Sequence, residues 1–229
     1  MAELVQLVHL VSVGVALLLP LANPLTSMTL LLSLGRRLTP RERQRQVTQA
    51  AFYVFGIMMV TFYAGSWIMQ TFGISIPGLR IAGGLIVARI GFEMLFPSSP
   101  IDEDIPEAEA VSEQIAARET TNIAFVPLAL PGTAGPGTIA MIISGAATIG
   151  PSSMAGYAPW ALAVAPVIVF ALLGLLFWVV LRSAERVVAA IGRGGVEAIA
   201  RVMGFFLVCM AVQFVINGVL EIVVDHTAG

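Results

Sequence analysis

The chain has 229 residues, of which 58% are hydrophobic and 11% are charged, and its formal net charge at pH 7 is −2. Soluble domains carry about 25% charged residues and the mean hydropathy of this chain is +0.92, so the composition excludes a soluble globular domain and predicts an integral membrane protein. The single cysteine, Cys209, excludes disulfides within the chain and a zinc site made of cysteines.

Six apolar segments are long enough to cross a bilayer, which takes about 17 to 25 residues each. They cover residues 5–34, 47–72, 74–96, 122–147, 159–181 and 198–224. The first and the fourth contain prolines and are predicted to be interrupted. We therefore expect an all-α integral membrane protein with six transmembrane helices.

Arginines are concentrated in two of the predicted loops. The loop after the first span contains Arg36, Arg37, Arg41, Arg43 and Arg45, and the loop before the sixth contains Arg182, Arg186 and Arg193. Positive charge in short loops marks the cytoplasmic side. Six alternating spans place both loops in the cytoplasm, which predicts that the N- and C-termini lie on the outer side.

An acidic segment that contains prolines, "PSSPIDEDIPEAEAVSEQIAARE", separates the third span from the fourth. It is predicted to be a solvated cytoplasmic linker, and the alternative is a regulatory or partner-binding segment. The predicted organisation is a three-helix repeat over residues 1–97, the linker over residues 98–120, and a second three-helix repeat over residues 121–229.

A short motif in the first span returns in the fourth. "PLANPLT", residues 20–26, matches "PLALPGT", residues 127–133, at five of seven positions and with a shift of 107. "RIAG", residues 80–83, likewise resembles "RVMG", residues 201–204, with a shift of 121. Because each half has an odd number of spans, the predicted architecture is an inverted 3+3 repeat in which the first helix of each half is discontinuous. This arrangement is typical of secondary transporters, whose substrate sites lie near the midplane.

Prolines are the physical reason for the two predicted interruptions. Proline has no backbone N–H and clashes with the carbonyl four residues back, and in lipid each freed polar group costs several kcal/mol unless another group satisfies it. As one straight helix, residues 5–34 would reach about 45 Å, whereas the hydrocarbon core is roughly 30 Å thick. The predicted helix-breaking residues are Pro20, Pro24, Pro127, Pro131 and Pro136.

Short polar side chains and glycines surround both breaks, and the chain contains no lysine. Helix N-termini at a break attract anions, so backbone dipoles with neutral hydroxyls and one amide suit a small zwitterion that has a neutral side chain. The alternative is that these residues only satisfy a kinked backbone. The predicted substrate-binding residues are Asn23, Thr26, Ser27, Gly132, Thr133, Gly135, Gly137 and Thr138.

Ionisable residues in or beside the spans are candidates for ion coupling. Glu93 lies one helical turn after Arg89 and can pair with it, and the alternative is that both side chains snorkel to the interface. Glu119, just before the fourth span, is either a proton carrier or a solvated residue at a helix start. Arg80 and Arg201 are expected to anchor the starts of the third and sixth spans.

Two further features of the third and sixth spans concern helix packing. Gly83, Gly84 and Gly91 give the third span a small-residue face, which suits close packing against another helix. Gln213 and Asn217, four residues apart on the sixth span, either line a cavity or hydrogen-bond a neighbouring helix.

Four longer segments of the sequence are distinctive: "LLPLANPLTSMTL", "FGISIPGLRIAGGLIVARIGFEMLFP", "NIAFVPLALPGTAGPGTIAMIIS" and "RVMGFFLVCMAVQFVINGVLEI". Together they resemble the MarC family of bacterial inner-membrane proteins. The resemblance implies six spans in the inner membrane of a Gram-negative bacterium, which puts the predicted termini in the periplasm. A related branch of the family includes small neutral amino acid transporters for substrates such as glycine and alanine. The family's broken-helix motifs fall here on Asn23, Pro24, Thr26 and on residues 131–133 and 135–138.

These observations lead to one main hypothesis, a secondary transporter or exporter of small neutral amino acids. It implies an amino acid as substrate, a proton or sodium as coupling ion and the lipid bilayer as surroundings, and it leaves the oligomeric state open. We expect no enzymatic activity, because H-E-x-x-H, deep acid pairs and phosphate-binding loops are missing from the sequence. We also expect no cofactor, no metal site and no nucleic-acid partner. The alternative is a non-transporting inner-membrane protein that acts through partners in envelope or stress responses.

Overall fold

The computed structural model describes residues 2–34, 38–97, 123–130, 133–149 and 157–227. This part of the chain is helical throughout, apart from turns and short connections, which confirms the predicted all-α class. The helices are α1 (Ala2–Leu18), α2 (Pro24–Leu34), α3 (Pro40–Thr71), α4 (Ile76–Leu95), a π-helical segment (Ala124–Ala129), α5 (Pro136–Thr148), α6 (Pro159–Arg182) and α7 (Ala184–Thr227).

Three of the described helices are long and apolar enough to cross a membrane by themselves. They are α3, α6 and the part of α7 from Gly194 to Val224. Shorter apolar helices lie at Glu3–Leu18, Pro24–Leu34 and Pro136–Thr148. The 20-residue helix α4 carries three charged side chains among its apolar residues, Arg80, Arg89 and Glu93.

The prediction was wrong about where one of the long helices begins. Helix α3 starts at Pro40 rather than at residue 47, because the Thr39 side chain accepts from the Glu42 backbone N–H and the Glu42 side chain accepts from the Thr39 backbone. This capping box satisfies backbone groups that a helix start leaves open. Helix α7 is broken at Gly192, with φ of 71° and ψ of 169°, and its apolar part, Gly194–Val224, agrees with the predicted span 198–224 to within a few residues. Glycine populates this left-handed region without steric cost.

The main core lies between α1, α2, α3, α6 and the π-helical segment. Its largest fully buried side chains include Met28, Met58, Leu128, Phe170 and Phe177. Pro166 lies inside α6 without ending that helix, so one proline in an apolar span is not sufficient to break it here. The predicted breaks therefore depend on more than the presence of proline.

Helices α4 and α7 pack against each other in antiparallel directions through glycines. A Cβ added to Gly91 would lie 2.9 Å from the Gly204 carbonyl oxygen, and a Cβ added to Gly84 would lie 2.9 Å from the Ala211 carbonyl oxygen. These distances leave no room for a larger residue without a backbone shift, so the predicted close-packing role of the small-residue face of α4 is confirmed.

Candidate functional site

The first apolar segment consists of two helices that meet at a turn. Helix α1 ends at Leu18, the Ala22 N–H donates to the Leu18 carbonyl at 2.8 Å, and α2 begins at Pro24. Pro20 lies in the turn, whereas Pro24 occupies the first position of a helix, where its missing N–H costs nothing. Asn23 caps this start, since its Oδ1 accepts from the Leu25 N–H at 3.0 Å.

The fourth apolar segment also divides, but it does so through a π-helical turn. Pro127 lies inside the π-helical segment, and the residue before it, Val126, is extended with φ of −121° and ψ of 126°. The ring of a proline disfavours the α conformation in the preceding residue, which explains this local break. Helix α5 then begins at Pro136, with Gly135 as its N-cap. Pro131 and Gly132 lie outside the described residues.

The two helix starts have a different spacing from the two copies of the sequence match. The shift of 107 pairs Pro24 with Pro131, but α5 begins at Pro136, 112 positions after Pro24. When the two helix starts are superposed in sequence, "ANPLT" (22–26) stands opposite "AGPGT" (134–138). The identity count favoured the shift of 107 because "PLA" recurs upstream, where the π-helical segment now lies.

Buried hydroxyls connect α2 to the second break. The Ser27 hydroxyl donates to the Leu128 carbonyl at 2.9 Å, and its oxygen lies 3.1 Å from the Thr133 hydroxyl. Because Ser27 has one proton to give, Thr133 is the donor in the second bond. The Thr138 hydroxyl in turn donates to the Thr133 carbonyl at 2.9 Å. All three donors are thus used within the protein.

Asn23 differs from these hydroxyls because half of its amide has no partner. The residue is 6% exposed, and its Nδ2 is buried without a hydrogen bond to any described residue. A buried polar group left unsatisfied costs about 1–3 kcal/mol. The amide therefore keeps two N–H donors that no described residue accepts from.

The start of α5 lies close to α4 and to the first break. A Cβ added to Gly137 would lie 2.6 Å from Val87 Cγ2 and 3.9 Å from Leu21 Cδ2. A small cavity of about 10 Å³ adjoins these residues, with Met141 and Ala211 also in its wall. Gly135 and Gly137 are buried, and Thr26 is half-buried one turn into α2.

Glu93, one of the two candidate residues for ion coupling, lies away from the two helix breaks. Glu93 pairs with Arg89 at 2.8 Å on the outward face of α4, where the two side chains are 60% and 83% exposed. Glu119 lies outside the described residues. Within the described ranges, no group of three or more His, Cys, Asp or Glu side chains could hold a metal ion.

A partly buried ionic cluster near the other end of α5 was not predicted as such. Arg80 of α4 pairs with Glu221 of α7, and its Nε donates to the Ser144 hydroxyl of α5 at 2.6 Å. The Arg80 side chain is only 13% exposed. The sequence analysis treated Arg80 as a helix anchor, because nothing in the linear pattern pairs the start of one span with the end of another. We call Arg80, Ser144 and Glu221 the Arg80 cluster.

Comparison with known proteins identifies the family. The model of the MarC family integral membrane proteins matches residues 7–223. The UPF0056 inner membrane protein MarC of Escherichia coli strain K12 is 55% identical over 220 residues, which cover 96% of this chain and 98% of the relative. The protein of the same name from Shigella flexneri has the same identity and coverage. No solved structure matches the chain. The resemblance noted in the sequence is therefore confirmed, and this integral inner-membrane protein belongs to the MarC family.

Proposed function

We propose that this chain is a secondary transporter of small neutral amino acids, of the size of glycine or alanine, across the inner membrane. The zwitterion would bind between the starts of α2 and α5. The observation that carries the proposal is the buried, unpartnered Nδ2 of Asn23 at the start of α2. Six spans in an inverted 3+3 repeat, with the first helix of each half discontinuous, are part of the proposal.

The packing of the helices supports two related halves. Helix α1 packs against α6, while the π-helical segment and α5 pack against α3. If the two halves are exchanged, α1 takes the place of the π-helical segment and α5, and α3 takes the place of α6. The contact of α1 with α6 then corresponds to the contacts of the π-helical segment and α5 with α3, and the pair of α4 and α7 corresponds to itself. Rocking of one half against the other, with the site between them, is the usual route to alternating access in such repeats.

The chemistry at the two helix starts supports a substrate that carries a carboxylate. The Asn23 amide offers two N–H donors, and the first backbone N–H groups of α2 and α5 have no intrahelical acceptor. The positive ends of helix dipoles add to this attraction for an anionic group. Residues 19–34 and 123–149 contain no charged side chain, which favours a substrate whose net charge is zero.

The roles of the polar residues are divided by their hydrogen bonds. The hydroxyls of Ser27, Thr133 and Thr138 donate hydrogen bonds to carbonyls or to one another, so these residues hold the two breaks together. Asn23, Thr26 and the backbone at Gly135 and Gly137 would contact the substrate. Val87, which leaves no space beside Gly137, would limit the size of the substrate side chain.

The test is uptake of labelled glycine and alanine into proteoliposomes under imposed proton or sodium gradients. Asn23→Ser is the informative variant, because serine is as good an N-cap as asparagine but lacks the NH₂ group. We expect uptake to fall by about tenfold or more, the usual effect of losing one hydrogen bond to a charged group. Thr29→Ala, on the exposed side of the same helix, is the matched control and should transport within about twofold of the native chain.

Two results would contradict the proposal. One is that the native protein neither moves nor binds glycine or alanine under any gradient. The other is that Asn23→Ser and Thr29→Ala transport equally well, since the amide would then have no role in recognising the substrate.

A further inference from the structure

The outward face of α7 contains two amides among apolar side chains. Gln213 and Asn217 are exposed on the surface of the protein, and Gln213 Nε2 donates to Asn217 Oδ1 at 2.8 Å. Around them lie exposed residues such as Val212, Ile216 and Leu220. Only 17% of an apolar 18-residue stretch of this span is buried inside the protein, whereas 44% of the corresponding stretch of α6 is buried. Most of this helix therefore meets lipid or another protein.

Both amides lie within the depth of the hydrocarbon core. The span Gly194–Val224 has 31 residues, and its midpoint is Cys209. At about 1.5 Å per residue, Gln213 lies about 6 Å and Asn217 about 12 Å from that midpoint. Half of the hydrocarbon thickness is roughly 15 Å, so neither amide reaches the interface simply by its position on the helix.

The bond between the two side chains uses only part of their hydrogen-bonding capacity. Gln213 keeps its carbonyl oxygen and one N–H, and Asn217 keeps both N–H groups, with no further partner among the described residues. Such groups are costly in hydrocarbon, and amides in transmembrane helices promote association with another helix. The remaining acceptor and donors complement each other, so that a second copy of the same surface can satisfy them.

A second copy of the chain also places the matching amides at the same depth in the membrane. Two copies inserted in the same orientation and related by a two-fold axis along the membrane normal present the same residues to each other at the same depth. Cys209, Gln213 and Asn217 follow one another at intervals of four residues, and all three are exposed. They form one row on the helix, which we call the amide row.

We propose that the amide row is the contact between two copies of this chain, which associate as a parallel dimer in the membrane. Gln213 of each copy would accept from Asn217 of the other, one turn away along the helix. The two Cys209 thiols would then face each other near the midplane. This proposal does not depend on transport, since none of the three residues belongs to the proposed substrate site.

The native cysteine provides the first test. Full-length protein in liposomes at low protein density is oxidised with copper phenanthroline and run on a non-reducing gel. We expect a disulfide-linked band at twice the chain mass of 24.2 kDa. The matched control combines Cys209→Ala with Leu172→Cys, which places a thiol on the exposed face of α6 near the middle of that helix, and it should give at least about tenfold less dimer.

A double variant tests the amides themselves. Gln213→Leu with Asn217→Leu keeps the size of the side chains and removes their polar groups on an exposed face, so the fold should be retained. We expect at least about tenfold less cross-linked dimer, in line with the loss of hydrogen bonds between helices in a bilayer. Single-molecule photobleaching in dilute liposomes should change from two bleaching steps to one.

Three outcomes would overturn the proposal. The native chain could bleach in one step at every density, with lipid or no partner covering the face. The double leucine variant could dimerise as well as the native chain. The Leu172→Cys control could cross-link as efficiently as Cys209, which would indicate random collision rather than a defined interface.

Discussion

At the scale of single residues, the first turn of α5 contains a close contact between a glycine and a valine. A Cβ at Gly137 would lie 2.6 Å from Val87 Cγ2, far closer than two carbon atoms approach. This contact joins the first turn of α5 to the middle of α4, beside the small cavity next to the first break. The fit at this point therefore helps to set how closely α4 and α5 approach, together with the contact of Gly83 with Ala140.

We expect Gly137→Ala to destabilise the protein and to abolish uptake. Overpacking of this kind costs about 1–3 kcal/mol, so the thermal midpoint of the purified protein in detergent should fall. Adding Val87→Ala removes the opposing methyl groups and should restore most of the lost stability. Differential scanning fluorimetry of the native, single and double variants measures both effects.

The same helix contains a matched control. Gly145 has no atom within 4 Å of a Cβ built on it, so Gly145→Ala should raise the stability slightly, as alanine does for glycine inside a helix. If Gly137→Ala and Gly145→Ala shifted the midpoint equally and in the same direction, the contact with Val87 would not be the cause.

The polar residues at the breaks show what a sequence can and cannot predict at this scale. Asn23, Ser27 and Thr133 all predict a polar site, because short polar side chains beside prolines are unusual at membrane depth. Their separate roles depend on partners 101 and 106 positions away along the chain. A linear pattern contains no information on those distances, so the satisfied hydroxyls and the unsatisfied amide looked equivalent.

At the scale of helices, prolines determine starts as well as breaks. Pro24, Pro40, Pro136 and Pro159 each occupy the first turn of a helix, where proline is favoured, while Pro166 is tolerated inside α6. The sequence analysis found the break regions but not the helix starts, because it counted prolines as interruptions. The threonine and glutamate pair around Pro40 is a readable signal that would have given the start of α3.

The Arg80 cluster connects three helices and yields a prediction about stability. Glu221→Gln leaves the Arg80 guanidinium, which is 13% exposed, without its counter-charge. Breaking a fully buried pair costs about 3–5 kcal/mol, and the partial exposure of Glu221 reduces this to about 1–2 kcal/mol. We expect a lower thermal midpoint in detergent, and Ser144→Ala should lower it less.

The control for this prediction is an ion pair on the surface of α7. Glu197 and Arg201 are half-exposed and lie four residues apart, and pairs of this kind contribute about 0.3–0.5 kcal/mol. Glu197→Gln should therefore change the midpoint very little. An equal effect of the two substitutions would show that the Arg80 cluster is no more important than a surface pair.

At the scale of the whole molecule, ion pairs and hydrogen bonds group the helix ends into two sets. Arg43 in the first turn of α3 pairs with Glu185 in the first turn of α7, so the two basic segments lie at one end of the protein. At the opposite end of the protein, the Trp160 indole N–H donates to the Glu3 carboxylate at 3.1 Å and so joins the starts of α6 and α1. The sequence predicted the first grouping from charge alone, whereas the second depends on side-chain contacts between distant residues.

This grouping supports a prediction about orientation that fusion proteins can test. If the basic end faces the cytoplasm, both termini face the periplasm, because α1 begins and α7 ends at the opposite end. A C-terminal fusion to alkaline phosphatase, which is active only outside the cytoplasm, should then be active, and a C-terminal fusion to green fluorescent protein should be dark. Fusions made after Pro97, where the predicted cytoplasmic linker begins, are the matched controls and should behave in the opposite way. A fluorescent C-terminal fusion with an inactive phosphatase fusion at the same position would show the opposite orientation, with the basic end of the protein in the periplasm.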